Sequence, residues 1–199
     1  ADIHAITASQ VFGCPLESLP AELRSRAKAI NFGIVYGIGA FSLSKQIHVS
    51  VAEAKAYIDA YLRTYSGVAR YQKQAVEQAR EDGYAVTIYG RRRELADIHS
   101  KNKQVQAFAE RVALNMPVQG TAADIIKLAM IRVRDRMRRE GLDARLILQV
   151  HDELIVEERE EIAPQVEALL REEMERAASL EVPLETDVHT GMNWYLAKG

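Results

Sequence analysis

The chain has 199 residues and a net charge of −2; 48% of its residues are hydrophobic and 27% are charged. This length and composition are typical of a soluble globular protein of one or two domains, and they argue against a disordered chain. No run of about 18 apolar residues offers a membrane span. Cys14 is the only cysteine, which excludes an internal disulfide framework and favours a reducing compartment.

The first half of the chain is predicted to be nearly all helical. Gly13 and Gly83 mark the ends of two helices, and Leu19-Pro20 marks the start of another. Ser50 and Glu53 have the spacing of a capping box at the start of a further helix. The predicted helices cover residues 3–12, residues from 20 onwards, 51–64 and 67–82.

The strands are predicted mainly in the second half, which makes the fold class α+β. A break at Pro117 separates two helices, and Thr121 and Asp124 are predicted to cap the second one. The predicted elements are a strand over residues 84–89, helices over 102–114, 121–140 and 161–178, a hairpin over 145–157 and a final strand over 182–188.

The second helix carries four candidate binding residues at intervals of four: Arg24, Lys28, Phe32 and Tyr36. Steps of four advance about 40° around a helix, so the four side chains form one slanting stripe. A guanidinium and an ammonium group favour a polyphosphate, and an aromatic ring one turn further suits a flat ring. Taken alone, the basic pair favours the basic edge of an ordinary amphipathic helix.

Three glycines, Gly33, Gly37 and Gly39, are predicted to lie in the second half of this helix. Each interior glycine costs about 1 kcal/mol relative to alanine, so they predict either the close approach of a flat group or a bend. Gly37-Ile38-Gly39 does not fit a dinucleotide-binding loop, because Ser42 replaces the last glycine and the motif follows a helix rather than a strand.

The predicted hairpin has a polar tip, His151-Asp152-Glu153, between apolar runs at residues 145–148 and 154–157. These runs predict a tight hairpin whose strands are mostly buried. A carboxylate at the mouth of a core needs a charged partner or a metal. The alternative is an ordinary solvated acidic turn, which the tip alone favours.

Basic residues form two clusters, although the whole chain is nearly neutral. A locally basic face can follow the phosphates of a nucleic acid. For the second cluster, a solvated helix surface is the favoured alternative. The first cluster consists of Arg91, Arg92, Arg93, Lys101 and Lys103, and the second of Arg132, Arg134, Arg136, Arg138 and Arg139.

Several motifs in register resemble the family A DNA polymerases, the DNA polymerase I type. Arg24-x3-Lys28-x3-Phe32-Gly33-x2-Tyr36-Gly37 is similar to the fingers helix (motif B) of that family, and Gln149-Val150-His151-Asp152-Glu153 is similar to its motif C. Gly90-Arg91-Arg92-Arg93 and the run from Asn115 to Asp124 also match in order and spacing. The resemblance runs from Asp2 to Trp194. It implies a C-terminal fragment with the fingers in residues 1–100 and part of the palm in residues 101–199.

The resemblance also implies roles for individual residues. Lys28 would hold the triphosphate and protonate the departing pyrophosphate. Asp152 would be the catalytic metal ligand, with Glu153 as a weaker neighbour. The nucleotide-binding residues would be His4, Arg24, Lys28, Phe32 and Tyr36. The DNA-binding residues would be Arg111, Asn115, Gln119 and His151.

Plain structural roles are alternatives for three of these residues. Asn115 and Gln119 fit caps of the break at Pro117. Arg111 fits an ion pair with Glu110 or Glu153.

The implied reaction is template-directed DNA synthesis, in which a primer 3′-hydroxyl attacks the α-phosphate of a deoxynucleoside triphosphate (dNTP). The implied partners are primer-template DNA, dNTPs and the rest of the polymerase chain, in a bacterial cytoplasm; the implied cofactor is a pair of Mg²⁺ ions. The family takes its second aspartate from motif A, a segment of Asp-Tyr-Ser-Gln-Ile-Glu type that does not occur in this chain. The thumb and any exonuclease domain are also missing, so the isolated chain is predicted to be inactive.

Two other classes of function stay open on the sequence. A non-catalytic nucleotide- or DNA-binding module explains the same stripe, and salt-dependent DNA binding without primer extension would identify it. A metal-dependent phosphohydrolase would use His151-Asp152 as a ligand pair. Such enzymes place that pair on a helix near other histidines, whereas here strand-forming residues frame it.

Overall fold

The computed structural model describes residues 2–198. They form two compact units, one ending at Gly120 and the other beginning at Thr121. Helices dominate, and the strands form two antiparallel pairs, which confirms the predicted α+β class. None of the described helices combines the length and the apolar composition that crossing a membrane requires.

The first unit is mainly helical, and most of its helix boundaries agree with the prediction. The capping box is present: Ser50 Oγ accepts from the N–H of Glu53, and Glu53 accepts from the N–H of Ser50. Gly13 and Gly83 end their helices in the left-handed conformation. The elements are α1 (Ile3–Phe12), α2 (Ala21–Val35), α3 (Ala40–Ile47), α4 (Val51–Thr64), α5 (Ser66–Asp82), β1 (Tyr84–Val86), β2 (Arg92–Glu94) and α6 (Lys103–Asn115), followed by a π-helical turn (Met116–Gly120).

Two apolar clusters make the core of this unit. The first joins α2, α3 and α4 through Ile30, Ile34, Leu43, Ile47, Ala54 and Tyr61. The second joins α5, β1 and α6 with the segment between β2 and α6, through Ala79, Ala85, Leu95, Ile98, Ala109 and Ala113. Burial of one face of α2 leaves the opposite face of that helix for binding.

Helix α2 ends at Val35, so Gly37 and Gly39 lie beyond the helix and not inside it as predicted. The N–H of Gly37 donates to the Ile34 carbonyl at 2.9 Å, and the N–H of Ile38 donates to the Gly33 carbonyl at 2.8 Å. This pair of bonds is a Schellman motif, which needs a left-handed residue, and Gly37 has a φ of 74°.

Two of these glycines are closely approached by other residues of the chain itself. A Cβ added to Gly33 would lie 2.8 Å from Cγ2 of Ile38, and one added to Gly37 would lie 2.9 Å from Cδ1 of Leu114. A Cβ on Gly39 would meet nothing within 4 Å. Gly37 therefore satisfies both a conformational and a steric requirement.

The second unit packs a hairpin and one helix against a long helix. Its elements are α7 (Thr121–Arg139), β3 (Ala144–Val150), β4 (Glu153–Glu158), α8 (Ala163–Glu175) and α9 (Trp194–Ala197). Helix α7 follows the π-helical turn directly. The core consists of Val133, Met137, Val166, Leu169 and Leu170, against which Leu146, Leu154 and Val156 of the hairpin pack.

Arg136 links α7 to α8 through carboxylates. Its guanidinium donates to Glu140 at 2.8 Å, to Glu172 at 2.7 Å and to Glu173 at 3.2 Å. Arg134 pairs with the neighbouring Asp135 at 2.7 Å. Because two of its arginines form ion pairs within the unit, the second basic cluster fits the solvated helix surface named above better than a face that follows phosphates.

Two strand predictions are corrected. The strand predicted over residues 84–89 ends at Val86, after which the chain turns towards β2. Residues 182–188 form no strand, and no strand among the described residues pairs with them. A strand is defined by its backbone pairing, so apolar residues without a neighbouring strand do not make one. Val182 is accordingly 74% exposed.

Replacing Gly37 with alanine is expected to lower the free energy of unfolding by about 1–3 kcal/mol, because a Cβ is strained in the left-handed region and would contact Leu114. Urea unfolding of the 199-residue chain, followed by circular dichroism, measures the change. Gly67→Ala is the matched control, since an added Cβ there meets nothing within 4 Å. Equal losses for both variants would contradict this account of Gly37.

Candidate functional site

The predicted stripe lies on the exposed face of α2. Helix α2 buries Ala27, Ile30, Asn31 and Ile34, which share the other face. The side chains of Arg24, Lys28 and Phe32 are exposed, and Tyr36 follows as the C-cap residue. Phe32 is 50% and Tyr36 is 42% exposed. Two aromatic rings and two cations thus lie on the exposed side of a helix whose other face packs in the core.

The two cations of the stripe differ in their surroundings. The side chain of Lys28 forms no hydrogen bond or ion pair within residues 2–198. The Arg24 guanidinium donates to Asp2 at 2.6 Å, and it lowers the pKa of the Asp2 carboxyl below its ordinary value, with help from the N–H of Ala5. Asp2 also caps α1 by accepting from the N–H groups of His4 and Ala5.

His4 joins the stripe from α1. Its ring centroid lies 5.7 Å from that of Phe32, with the planes tilted by 46°. Its Nδ1 lies 2.9 Å from the amide nitrogen of Asn31, a buried residue of α2. The structure therefore brings together the five residues predicted to bind a nucleotide. No sequence signal marks Asn31, because one asparagine in an apolar helix face belongs to no recognised motif.

Two amide side chains hold the C-terminal end of α2. Gln72 of α5 donates to the Ile34 carbonyl at 2.6 Å, and Asn115 of α6 donates to the Tyr36 carbonyl at 3.5 Å. The Ile34 carbonyl also accepts from the N–H of Gly37, so Gln72 is a second donor to it, and the contact of Asn115 helps to fix the position of Tyr36. Asn115 thus contacts α2 and does not cap the break at Pro117.

The three predicted DNA-binding residues of this unit lie at the end of α6. Arg111 and Asn115 are four residues apart on α6, and Gln119 lies in the π-helical turn. The alternative pairing of Arg111 with Glu110 is wrong, because Glu110 accepts from Arg80 at 2.5 Å. The sequence predicts a break at Pro117, and the structure shows that it is a π-helical turn, a feature often found at functional sites.

In the second unit, the polar tip of the hairpin is a two-residue turn. Val150 pairs with Glu153, so His151 and Asp152 are the turn residues, and His151 has a φ of 52°. A positive φ at the first turn position matches the mirror-image turns that suit two-residue hairpins. The side chain of Gln149 donates to the His151 carbonyl and stabilises the turn. Asp152 and Glu153 are both exposed.

The prediction that the hairpin strands are mostly buried is wrong for this chain. The register shifts between Leu146 and Leu148, which marks a β-bulge at Ile147. Leu146 packs on the core, whereas Ile147 is 56% and Leu148 is 45% exposed. One face of the hairpin is therefore covered within this unit and the other is not.

The carboxylates at the tip fit part of a magnesium site. Mg²⁺ prefers oxygen ligands and usually takes one or two carboxylates together with substrate phosphates. Asp152 and Glu153 provide such oxygens. No group of three or more histidine, cysteine, aspartate or glutamate side chains that could hold a metal occurs within residues 2–198. The two carboxylates thus have the chemistry of magnesium ligands, but they belong to no larger group of such ligands among the described residues.

The second unit also contains a groove of about 700 Å³ beside α7 and β3. Its lining combines apolar and basic side chains. They include Met130, Ile131, Met137 and Leu146 together with Arg134 and Arg145. No sequence motif marks this groove, because it depends on how the hairpin packs against α7.

Comparisons with known proteins agree on one family. The model of the family described as DNA polymerase family A matches residues 1–196. DNA polymerase I of Pseudomonas aeruginosa is 51% identical over 193 residues, which cover 97% of this chain and 21% of the relative. DNA polymerase I of Bacillus caldotenax is 47% identical over 197 residues, with 99% and 22% covered.

A solved structure shows the same fold. The POL domain from M. smegmatis, in complex with DNA primer-template and dNTP, matches with a TM-score of 0.92 and 45% identity. The match covers 99% of this chain and 35% of that one. This chain belongs to DNA polymerase family A. It spans about a fifth of the length of the curated relatives it matches.

Proposed function

We propose that this chain is the C-terminal part of a polymerase that carries out template-directed DNA synthesis, transferring a nucleotide from a dNTP to a primer 3′-hydroxyl. One observation carries the proposal: a chain of this family presents Arg24, Lys28, Phe32 and Tyr36 on the exposed face of one helix. Residues 1–100 would form the fingers and residues 101–199 part of the palm. The compact units divide later in the chain, after Gly120.

The stripe would bind the incoming dNTP. Lys28 has no competing partner among the described residues, so its ammonium group is available to the triphosphate and to the departing pyrophosphate as a proton donor. Arg24 would exchange or share its contact with Asp2 when a phosphate arrives, since a guanidinium has five N–H donors in its plane and Asp2 engages only the one on Nε. His4 would add a third contact to the triphosphate. Phe32 and Tyr36 would pack against the sugar and base.

Primer-template DNA would lie along α6 and its π-helical turn. Arg111, Asn115 and Gln119 supply donors, and the minor groove presents mainly acceptor atoms at A·T and T·A pairs. Such contacts are only weakly sequence-specific, which suits an enzyme that must copy any template. His151 would lie near the primer terminus.

In the chemical step, the primer 3′-hydroxyl would release its proton to solvent as its oxygen bonds to the α-phosphorus. The bond to pyrophosphate would break, and Lys28 would give a proton to the leaving pyrophosphate. Asp152, with Glu153 as a weaker neighbour, would hold Mg²⁺, which supplies charge stabilisation for the attacking and leaving oxygens. Lys28 and Arg24 would offset the negative charge of the triphosphate, so this chain contributes mainly positioning and electrostatics. The remaining carboxylate would come from motif A, outside this chain.

The rest of the polymerase chain is the partner proposed for the hairpin. Both outer edges of the β3–β4 pair lack a neighbouring strand among residues 2–198, and such edges readily accept another strand. On β3, Ile147 and Leu148 leave apolar surface exposed. The motif A strand of the palm would pair there and bring its aspartate towards Asp152.

The isolated 199-residue chain is expected not to extend a primer, because it lacks the motif A aspartate. A primer-extension assay with Mg²⁺ tests this, with a complete polymerase that contains this segment as the positive control. Extension by the isolated chain that survives Asp152→Ala would contradict the proposal. DNA binding that weakens with salt, without extension by the complete polymerase, would instead favour the non-catalytic binding module.

In a complete polymerase that contains this segment, Lys28→Ala is expected to weaken dNTP affinity and to slow incorporation about 100-fold, the typical effect of removing one preorganised donor. Single-turnover incorporation at varied dNTP concentration separates the two effects. Lys45→Ala is a matched control, because Lys45 lies over the Phe41 ring on α3 and outside the stripe. Unchanged kinetics in the Lys28 variant would remove that residue from its proposed role.

A further inference from the structure

Asn31 lies between Lys28 and Phe32 in sequence, but its side chain is buried. It is 7% exposed, and its amide nitrogen lies 2.9 Å from Nδ1 of His4. The carbonyl oxygen of the same amide is buried without a hydrogen-bond partner among the described residues. An unpartnered buried polar atom is destabilising, so packing alone does not account for an asparagine at this position.

The contact favours one of the two neutral tautomers of His4. An amide nitrogen donates hydrogen bonds and does not accept them, so in this contact Nδ1 of His4 is the acceptor. A neutral imidazole then carries its proton on Nε2. The His4 ring has no other hydrogen bond within residues 2–198, which leaves Nε2–H available to a further acceptor.

The position of His4 indicates what that acceptor would be. The ring packs beside Phe32 at 5.7 Å, and the N–H of His4 is bound by Asp2, which also pairs with Arg24. His4 is therefore held next to the stripe by both its backbone and its ring. An N–H donor suits an anionic oxygen at this place, whereas the lone pair of an unprotonated Nε2 would repel it.

We propose that Asn31 is a positioning residue: it donates to Nδ1 of His4 and thereby presents Nε2–H of His4 to a phosphate oxygen of the dNTP. This inference rests on the proposed function, because it assumes that the stripe binds a nucleotide. Asn31 itself touches neither the nucleotide nor a metal. Its effect on binding passes entirely through His4.

The first test observes the ring directly and needs no nucleotide. The 199-residue chain is labelled with ¹⁵N in its histidine rings, and the His4 signals are assigned by their loss in His4→Gln. In the neutral ring, Nδ1 is expected to be unprotonated and Nε2 protonated. Asn31→Asp keeps the shape but can only accept, so it is expected to move a proton onto Nδ1. A neutral ring protonated on Nδ1 in the unsubstituted chain overturns the proposal.

The second test is a double-mutant cycle on dNTP affinity in a complete polymerase that contains this segment. Asn31→Ala is expected to weaken affinity about threefold or more, and the double variant with His4→Ala is expected to bind no more weakly than His4→Ala alone. Additive losses would overturn the proposal, because Asn31 would then act independently of His4. The NMR measurement needs no substitution at Asn31, so it decides the matter where a variant does not fold.

Lys28→Ala, measured in the same assay, distinguishes failure of the positioning role of Asn31 from failure of the proposed nucleotide binding by the stripe. If Lys28→Ala weakens dNTP affinity and Asn31→Ala does not, the positioning role is overturned and the proposed function stands. If neither variant weakens affinity, the stripe does not bind the nucleotide and both are overturned. Weakening by both variants, with a non-additive cycle, supports both.

Discussion

The left-handed conformation of Gly37 sets the length of α2, and the arrangement of the candidate site depends on it. The Schellman motif ends the helix at Val35, so Tyr36 becomes the last residue of the stripe. The chain then turns into α3, whose apolar residues complete the core behind α2. With no room for a Cβ against Leu114, Gly37 also fixes the distance between the end of α2 and α6. Gln72 gives the Ile34 carbonyl a second donor, and Asn115 donates to the Tyr36 carbonyl, so both side chains hold this end of the helix.

Polar contacts make the N-terminal helix part of the same site. Asp2 caps α1 and pairs with Arg24, while His4 contacts both Asn31 and Phe32. A cap residue thus has two functions, because one carboxylate oxygen binds backbone N–H groups and the other binds the guanidinium. The Asp2–Arg24 and His4–Asn31 contacts join α1 to α2. They position the rings and charges along the stripe without a ligand.

The sequence predicts those features that depend on spacing along the chain. The stripe follows from four-residue periodicity, the start of α4 from Ser50 and Glu53, and the hairpin tip from two apolar runs around His151-Asp152. Features that depend on distant neighbours are not predictable in this way. Interior glycines do not show whether a helix ends or continues, so the end of α2 at Val35 is missed. Apolar composition does not show which strand face is covered, so the exposure of Ile147 and the absence of a final strand are missed as well. Asn31 and Gln72 carry no motif, because their roles arise only from three-dimensional contacts.

The most direct test is a crystal structure of a complete polymerase that contains this segment, bound to primer-template DNA, a dNTP and Mg²⁺. We expect the triphosphate to contact Lys28, Arg24 and Nε2 of His4. We also expect Asp152 and an aspartate from another strand of the palm to ligate the metal. A triphosphate bound away from α2, or a metal site without Asp152, would contradict it.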